Sequence, residues 1–231
     1  SRPFILKNIN LDVQIKNGEN KNFITTTIEI SQFDAKTENG DINGDFTIEN
    51  LTKYYLTANL SSSWDLAEIN NYFEDSPFFN LQGKLTANTQ YSGYISFDSK
   101  FKDYFINAQH SSNTTFKNTT FKYKNFALAF NLQTVDCKFK NNVIEVENSA
   151  FTIADSDLKF NGTVADLIAY ICNRKKEITV IGDLNSTYIK FEELSTIKDI
   201  TGEGGKSEKE MVFPNWIKAN LNSTIATFTY N

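Results

Sequence analysis

Few residues in this chain could do acid–base, nucleophilic or metal chemistry, and their surroundings do not bring them together. Its one histidine, His110, lies in the polar stretch "NAQHSSN". With no Cys, His or carboxylate cluster beside it, it reads as a solvent-exposed loop residue and not as a catalytic base. "DINGD", Asp41 to Asp45, sets three oxygen side chains at alternate positions, as a calcium loop begins. Phe46 then stands where that loop needs glycine and Thr52 where it needs a bidentate glutamate, so the stretch reads as a hairpin turn. Glu192 and Glu193 form a carboxylate pair, but sequence neighbours point to different sides of a strand or helix and cannot grip one substrate. Two cysteines, Cys137 and Cys172, cannot staple a chain this long; both are expected free and partly buried, with a disulfide as the alternative. "NTT" at Asn113 and Asn118 would matter as a sequon only in a secreted eukaryotic protein. These residues predict no enzyme, no metal and no cofactor.

A different pattern points to binding. Four segments carry an apolar, small, apolar series on one face: Leu56, Ala58, Leu60; Leu81, Gly83, Leu85; Val180, Gly182, Leu184; and Ile217, Ala219, Leu221. A small side chain in the middle of an apolar face leaves room, either for a bulky neighbour or for something that is not protein. Ordinary core packing and the floor of an apolar trough both fit.

The elements that would position these residues are mostly strands. "NINLDVQIK" alternates at Ile9, Leu11, Val13 and Ile15, "FALAFNL" at Phe126, Leu128, Phe130 and Leu132, and "TTTIEIS" and "VIEVE" are rich in β-branched residues. Asn17-Gly18, Asn39-Gly40, Asn43-Gly44 and Asn141-Asn142 supply residue types that tolerate positive φ in turns. With three prolines in 231 residues, strands can be long. Two short helices are expected, near Ser63 to Phe73 and Val164 to Asn173. Ser62 with Asp65, and Thr163 with Asp166, are their capping boxes, and Arg174, Lys175 and Lys176 suit the dipole at the second helix's end.

The chain also repeats itself. Segments at Ile28–Ile30, Gly40–Ile42 and Thr47–Leu51 match Ile144–Val146, Ser156–Leu158 and Thr163–Leu167 at a constant offset of 116. "NLSSSWDLAEI" from Asn59 then echoes "DLNSTYIKFEEL" from Asp183 at an offset of 124, because the second copy inserts "IAYICNRKK". The expected architecture is mainly β: one long, strongly curved antiparallel sheet of repeated units, approximately 1–75 and 76–200 with a partial unit 211–231. Glycine-rich, charged residues 201–210, "TGEGGKSEKE", read as a flexible surface loop.

Composition narrows the classes further. Net charge is −5, and lysines are dispersed, so nucleic acid is disfavoured. The longest apolar run, "LIAYIC" at Leu167–Cys172, falls far short of the ~20 residues that span a bilayer. The chain opens at Ser1 without a signal-peptide pattern and stops in a strand-like run, the expected look of a piece of something longer.

The succession "LQGKLTANTQYSG", "SDLKFNGTVADLIAYI", "GDLNSTYIKFEEL" and "WIKANLNSTI" resembles the C-terminal region of the AsmA family of bacterial envelope proteins, in its Bacteroidetes form. The resemblance spans about Ile24 to Thr224; its distinctive parts are the strand-to-helix unit and the "GDLNSTYIKFEEL" phrase, and no amino-terminal membrane helix is present. It implies a periplasmic module of a protein anchored to the inner membrane by a segment absent here, with envelope proteins as possible partners. It also implies a curved sheet whose apolar face is a groove for phospholipid acyl chains, serving lipid transport and outer-membrane homeostasis. The competing expectation is a structural or adhesive β-sandwich repeat with a closed core.

Overall fold

The computed structural model describes residues 5–71, 78–96, 101–123, 128–172, 174–191, 193 and 216–230. Ten strands follow one another as an antiparallel meander, each paired with the next: β1 (Lys7–Lys16), β2 (Thr27–Lys36), β3 (Asp41–Glu49), β4 (Tyr55–Asp65), β5 (Phe78–Tyr94), β6 (Gln109–Tyr123), β7 (Ala129–Lys140), β8 (Val143–Ile153), β9 (Ser156–Ala165) and β10 (Ile178–Ser186). An eleventh strand, β12 (Ile217–Ile225), closes the sheet parallel to β10. Beyond it, β13 (Phe228–Thr229) lies parallel to β11 (Ile189–Lys190) in a separate two-stranded ladder. The sheet is thus mainly but not wholly antiparallel. At ~4.8 Å per strand, it extends about 48 Å from β1 to β12.

The sequence repeat is also a repeat of hydrogen-bond register. Val13 pairs with Ile30 and Ile15 with Ile28; 124 and 116 positions on, Cys137 pairs with Val146 and Phe139 with Ile144. Even the irregularities recur: Asn10 meets Asp34 and Asp12 meets Ser31, as Thr134 meets Ala150 and Asp136 meets Glu147. Each such bulge adds local twist and bends its strand. Ile48 faces Leu56 and Gly44 faces Leu60, as Val164 faces Val180 and Phe160 faces Leu184. The strands β1–β4 and β7–β10 are therefore two copies of one pairing scheme, joined by the long strands β5 and β6.

Among the described residues, three short helices interrupt the meander: α1 (Leu66–Asn70), α2 (Phe101–Asn107) and α3 (Leu167–Ile171). The two expected helices form but start later than the sequence indicates, because strand pairing reaches past the proposed caps. Ser62 and Thr163 lie inside β4 and β9, and Asp65 is itself the N-cap, accepting from the N–H groups of Ala67 and Glu68. Asp166 occupies the other N-cap position in a left-handed conformation without capping through its side chain. That carboxylate instead accepts from the Asn142 amide and, at 2.8 Å, from Lys175. Helix α2 is not foreseen by the sequence. The expected turn at Asn43-Gly44 is also corrected: both residues lie within β3, where the β4 backbone comes so close that a Cβ on Gly44 would meet the Asn59 carbonyl at 2.0 Å. The expected loop 201–210, and residues 72–73 at the end of the first expected helix, lie outside the described residues.

Hydrophobic burial is thin. Among the described residues, the largest side chain wholly removed from solvent is a serine, Ser156. Two small clusters form, Val135 with Cys137 and Ile144, and Ile153 with Leu158 and Ile189. Both belong to the second copy.

Candidate functional site

Residues directly opposite across a ladder point to the same side of the sheet, so the registers show which side chains share a face. Starting from Ala58, that face runs outward through Phe46, Ile30 and Val13 on one side and through Tyr91 on β5 on the other. Further along, Leu85 leads to Phe116, Val135 and the β7–β8 residues Cys137, Val146, Phe139 and Ile144. From Val146 and Ile144 it continues through Gly162 and Val164 to Gly182 and Val180, and then to Leu221 and Ala219. One face of the eleven-stranded sheet therefore carries apolar residues on every strand. The opposite face carries Lys, Asp, Asn, Gln and Thr.

All twelve sequence-predicted site residues sit in this sheet. Leu56, Ala58 and Leu60 lie on β4 beside Leu81, Gly83 and Leu85 on β5, and Val180, Gly182 and Leu184 lie on β10 beside Ile217, Ala219 and Leu221 on β12. The two groups are not adjacent: β6 to β9 separate them, which at ~4.8 Å per strand puts β5 about 24 Å from β10. Those intervening strands also place apolar residues on the face, Phe116, Leu132, Phe139, Val146 and Phe160 among them, and β9 carries the same apolar-small-apolar series in Phe160, Gly162 and Val164, which sequence reasoning missed.

The small residues do not leave the gaps that their spacing implies. Gly182 faces Gly162 across the ladder, and the Phe160 ring from the neighbouring strand lies over both; a Cβ at Gly182 would meet that ring at 3.0 Å and the Asn161 carbonyl at 2.3 Å. Ala58, buried, sits between Phe46 and Tyr91 on the flanking strands. Gly83 marks a bulge, with φ of +118° and the Thr119 backbone 2.7 Å from a would-be Cβ. Among the described residues the face is only partly covered: Leu56, Leu60, Leu85, Val146, Phe160, Val180, Leu184 and Leu221 are half-buried, and Ala219 is exposed.

Cover comes from the two rims, where the chain turns. At one rim, Phe105 of α2 stacks on Tyr91 and on His110, with centroids 6.2 and 4.9 Å apart, and Leu167 of α3 packs on the cluster around Cys137. A salt bridge from Asp103 to Arg174 links α2 to the segment after α3, and Tyr170 stacks on Trp216. At the other rim, each copy places a buried carboxylate in a turn. Glu68 of α1 accepts from the N–H groups of Glu38 (3.1 Å) and Asn39 (2.9 Å) and from the Thr37 hydroxyl (3.1 Å). Glu193 accepts from the N–H groups of Asp155 and Ser156 (both 3.1 Å) and from the Ser156 hydroxyl (2.9 Å). These turns join β2 to β3 and β8 to β9, so the two glutamates do one job in the two copies. Sequence reasoning weighs Glu193 only as half of a carboxylate pair; its place within the echoed phrase, as Glu68 lies within the earlier one, is the signal for a structural role.

His110 is not in a loop. It lies in β6 opposite Tyr91, and both ring nitrogens are out of solvent without a hydrogen-bond partner among the described residues. No carboxylate or nucleophile stands with it in the stack. Cys137 and Cys172 are free thiols. Burial, with Asp136 next, pushes the Cys137 thiol up to about 11, well away from a reactive thiolate. Among the described residues, no group of three His, Cys, Asp or Glu could hold a metal ion, and no helix is long and apolar enough to cross a membrane. Asn59, Asn88, Gln90, Asn113 and Lys138 border a depression of about 580 Å³ that Phe139 also lines.

Compared with protein-family models, with curated proteins and with solved structures, the chain matches none.

Proposed function

We propose that this chain is a non-catalytic module whose apolar sheet face carries phospholipid acyl chains, in the manner of the AsmA-like proteins it resembles. The observation that carries this reading is that one face bears apolar residues on each of eleven adjacent strands, interrupted on β5 and β6 by the hydroxyls of Thr89, Ser112 and Thr114, with its described cover concentrated at the rims. A face that broad, left to water, is costly; each CH₂ moved from water to an apolar surface gains about 0.8 kcal/mol, so a 16-carbon chain lying along it gains roughly 10 kcal/mol or more. The helices at the rims would line the path without closing its middle. Placement in the bacterial periplasm, with a parent protein held at the inner membrane and envelope proteins as neighbours, rests on the resemblance alone.

Native mass spectrometry of gently purified protein tests the reading, with co-purified phospholipid the expected result. Gly182 is a poor place to perturb, because any side chain there meets backbone. Leu60→Asp and Ala219→Asp are better, since a carboxylate on an open face reaches water whereas one in a sealed core does not. Retained thermal stability with lost lipid supports the acyl-chain path. Collapse of stability in both, with no lipid on the parent protein, favours a structural or adhesive module with a closed core.

A further inference from the structure

We propose that the open edge of β1 is an acceptor for an antiparallel strand of the β6 type, supplied by a further unit of the same repeat. The inference comes from the internal symmetry and is independent of what the apolar face carries. Leu11-Asp12-Val13-Gln14-Ile15-Lys16 in β1 corresponds to Val135-Asp136-Cys137-Lys138-Phe139-Lys140 in β7, and the inner edges of the two strands make the same pairs with β2 and β8. Their outer edges differ. Beside β7 lies β6, which places Phe116 opposite Val135, Thr114 opposite Cys137 and Ser112 opposite Phe139. From the same strand the Thr115 hydroxyl donates to the Asp136 carboxylate at 2.7 Å. Beside β1 the described residues place nothing: all ten of its residues are exposed, with Val13 49% and Ile15 66% accessible against 8% for Cys137.

An edge of this kind presents a row of unpaired N–H and C=O groups, ready for strand addition. Symmetry specifies the missing partner: antiparallel, with an aromatic or apolar residue opposite Leu11, a hydroxyl in reach of Asp12, and small hydroxylated residues opposite Val13 and Ile15. A second copy of this chain does not offer such a strand, because its own β6 is paired on both sides and its free edges are β1 and β12.

The probe is a peptide of residues 109–123, QHSSNTTFKNTTFKY, added to the intact chain and followed by amide hydrogen exchange. Saturable binding is expected, with outward-facing amides of β1 slowed about tenfold or more and those of β12 unchanged. A peptide carrying Thr115→Val should bind several-fold more weakly, for want of the donor to Asp12. Equal binding by a scrambled peptide, protection of β12 in place of β1, or no protection of β1 overturns the proposal. Sedimentation of the chain alone adds a further arm: a concentration-dependent dimer with protected β1 amides assigns the edge to a second copy and overturns it too.

Discussion

Strands β1–β4 and β7–β10 share their pairing residue for residue, bulges included, yet among the described residues buried apolar clusters form only in the second copy, one of them with Ile189 of β11. Two differences in surroundings account for this. The second copy has β6 alongside β7, and the inserted "IAYICNRKK" forms most of α3, whose Leu167 covers the Cys137 cluster. The first copy crosses from β3 to β4 by a short turn and has no described neighbour at β1. Register is therefore written locally, in alternation and turn residues, whereas burial is conferred by whatever lies alongside.

The sharpest test of that distinction uses equivalent positions. Cys137→Asp should destabilise the chain by roughly 3–5 kcal/mol, since it leaves a carboxylate in the second copy's core, while Val13→Asp should stay within about 0.5 kcal/mol. Urea melts of the two variants check it, and equal losses would mean that the copies are not differently buried at all.

Next come the glutamate clamps. Glu68→Ala and Glu193→Ala should each cost about 2–3 kcal/mol, because three donors lose their acceptor. Glutamine tests the charge of both clamps: Glu68 accepts on both oxygens, and Glu193 accepts from Asp155 and Ser156 on one oxygen while the other lies 3.7 Å from the Lys190 ammonium. Glu68→Gln and Glu193→Gln should therefore each cost about 1–2 kcal/mol by thermal melting.

A third comparison concerns the ring on the apolar face. Gly44, Phe46 and Ala58 in the first copy stand where Phe160, Gly162 and Gly182 stand in the second, so each copy has one ring and one glycine on its third strand, in exchanged order. Phe160→Gly and Gly162→Phe should each destabilise, and the pair, made together with Gly182→Ala, should recover about 1–2 kcal/mol of the summed loss. Strict additivity in the cycle would show that the exchange is not compensation.

The smallest effect is expected in acid. Burial alone would raise the Asp157 pKa, but donation from the Thr187 hydroxyl and backbone, then from Tyr188 N–H and the Ser186 hydroxyl, prevails and lowers it. A carboxylate with a lowered folded-state pKa stabilises the fold above its unfolded value of about 3.9, and that contribution is lost as pH falls through the folded value. Asp157→Asn should therefore flatten the stability profile below about pH 4. Acid titrations of unfolding free energy measure it.

Much of this architecture was legible in the sequence. The constant offset at Ile28 and Ile144 marks strands that do share a register, and alternation at Leu11, Val13 and Ile15 marks the apolar face. Strand β6 was not legible, since "QHSSNTTFKNTT" has too few apolar residues to alternate; it is a strand because β5 and β7 flank it. Gly44 looked like a turn because Asn-Gly favours one, and close approach of β4 gives the glycine another reason to be there. Glu193 was hidden by its neighbour Glu192, and His110 by its polar surroundings in sequence, which say nothing about the Phe105 ring stacked on it.

The one parallel pairing in the sheet has a consequence for the order of folding. From β1 to β10 every strand meets the strand just before it, so each addition closes a short loop and the meander can zip from any point. For β12 the situation differs: Ile178 must find Ile217 across the whole of the intervening chain, and a parallel pair cannot be joined by a hairpin turn. That step carries the largest loop-closure entropy in the sheet and adds a strand with only one neighbour. Formation of β12 is therefore expected last, so that the far end of the apolar face would exist only once the rest of the sheet has been built, an order that pulse-labelled hydrogen exchange would reveal.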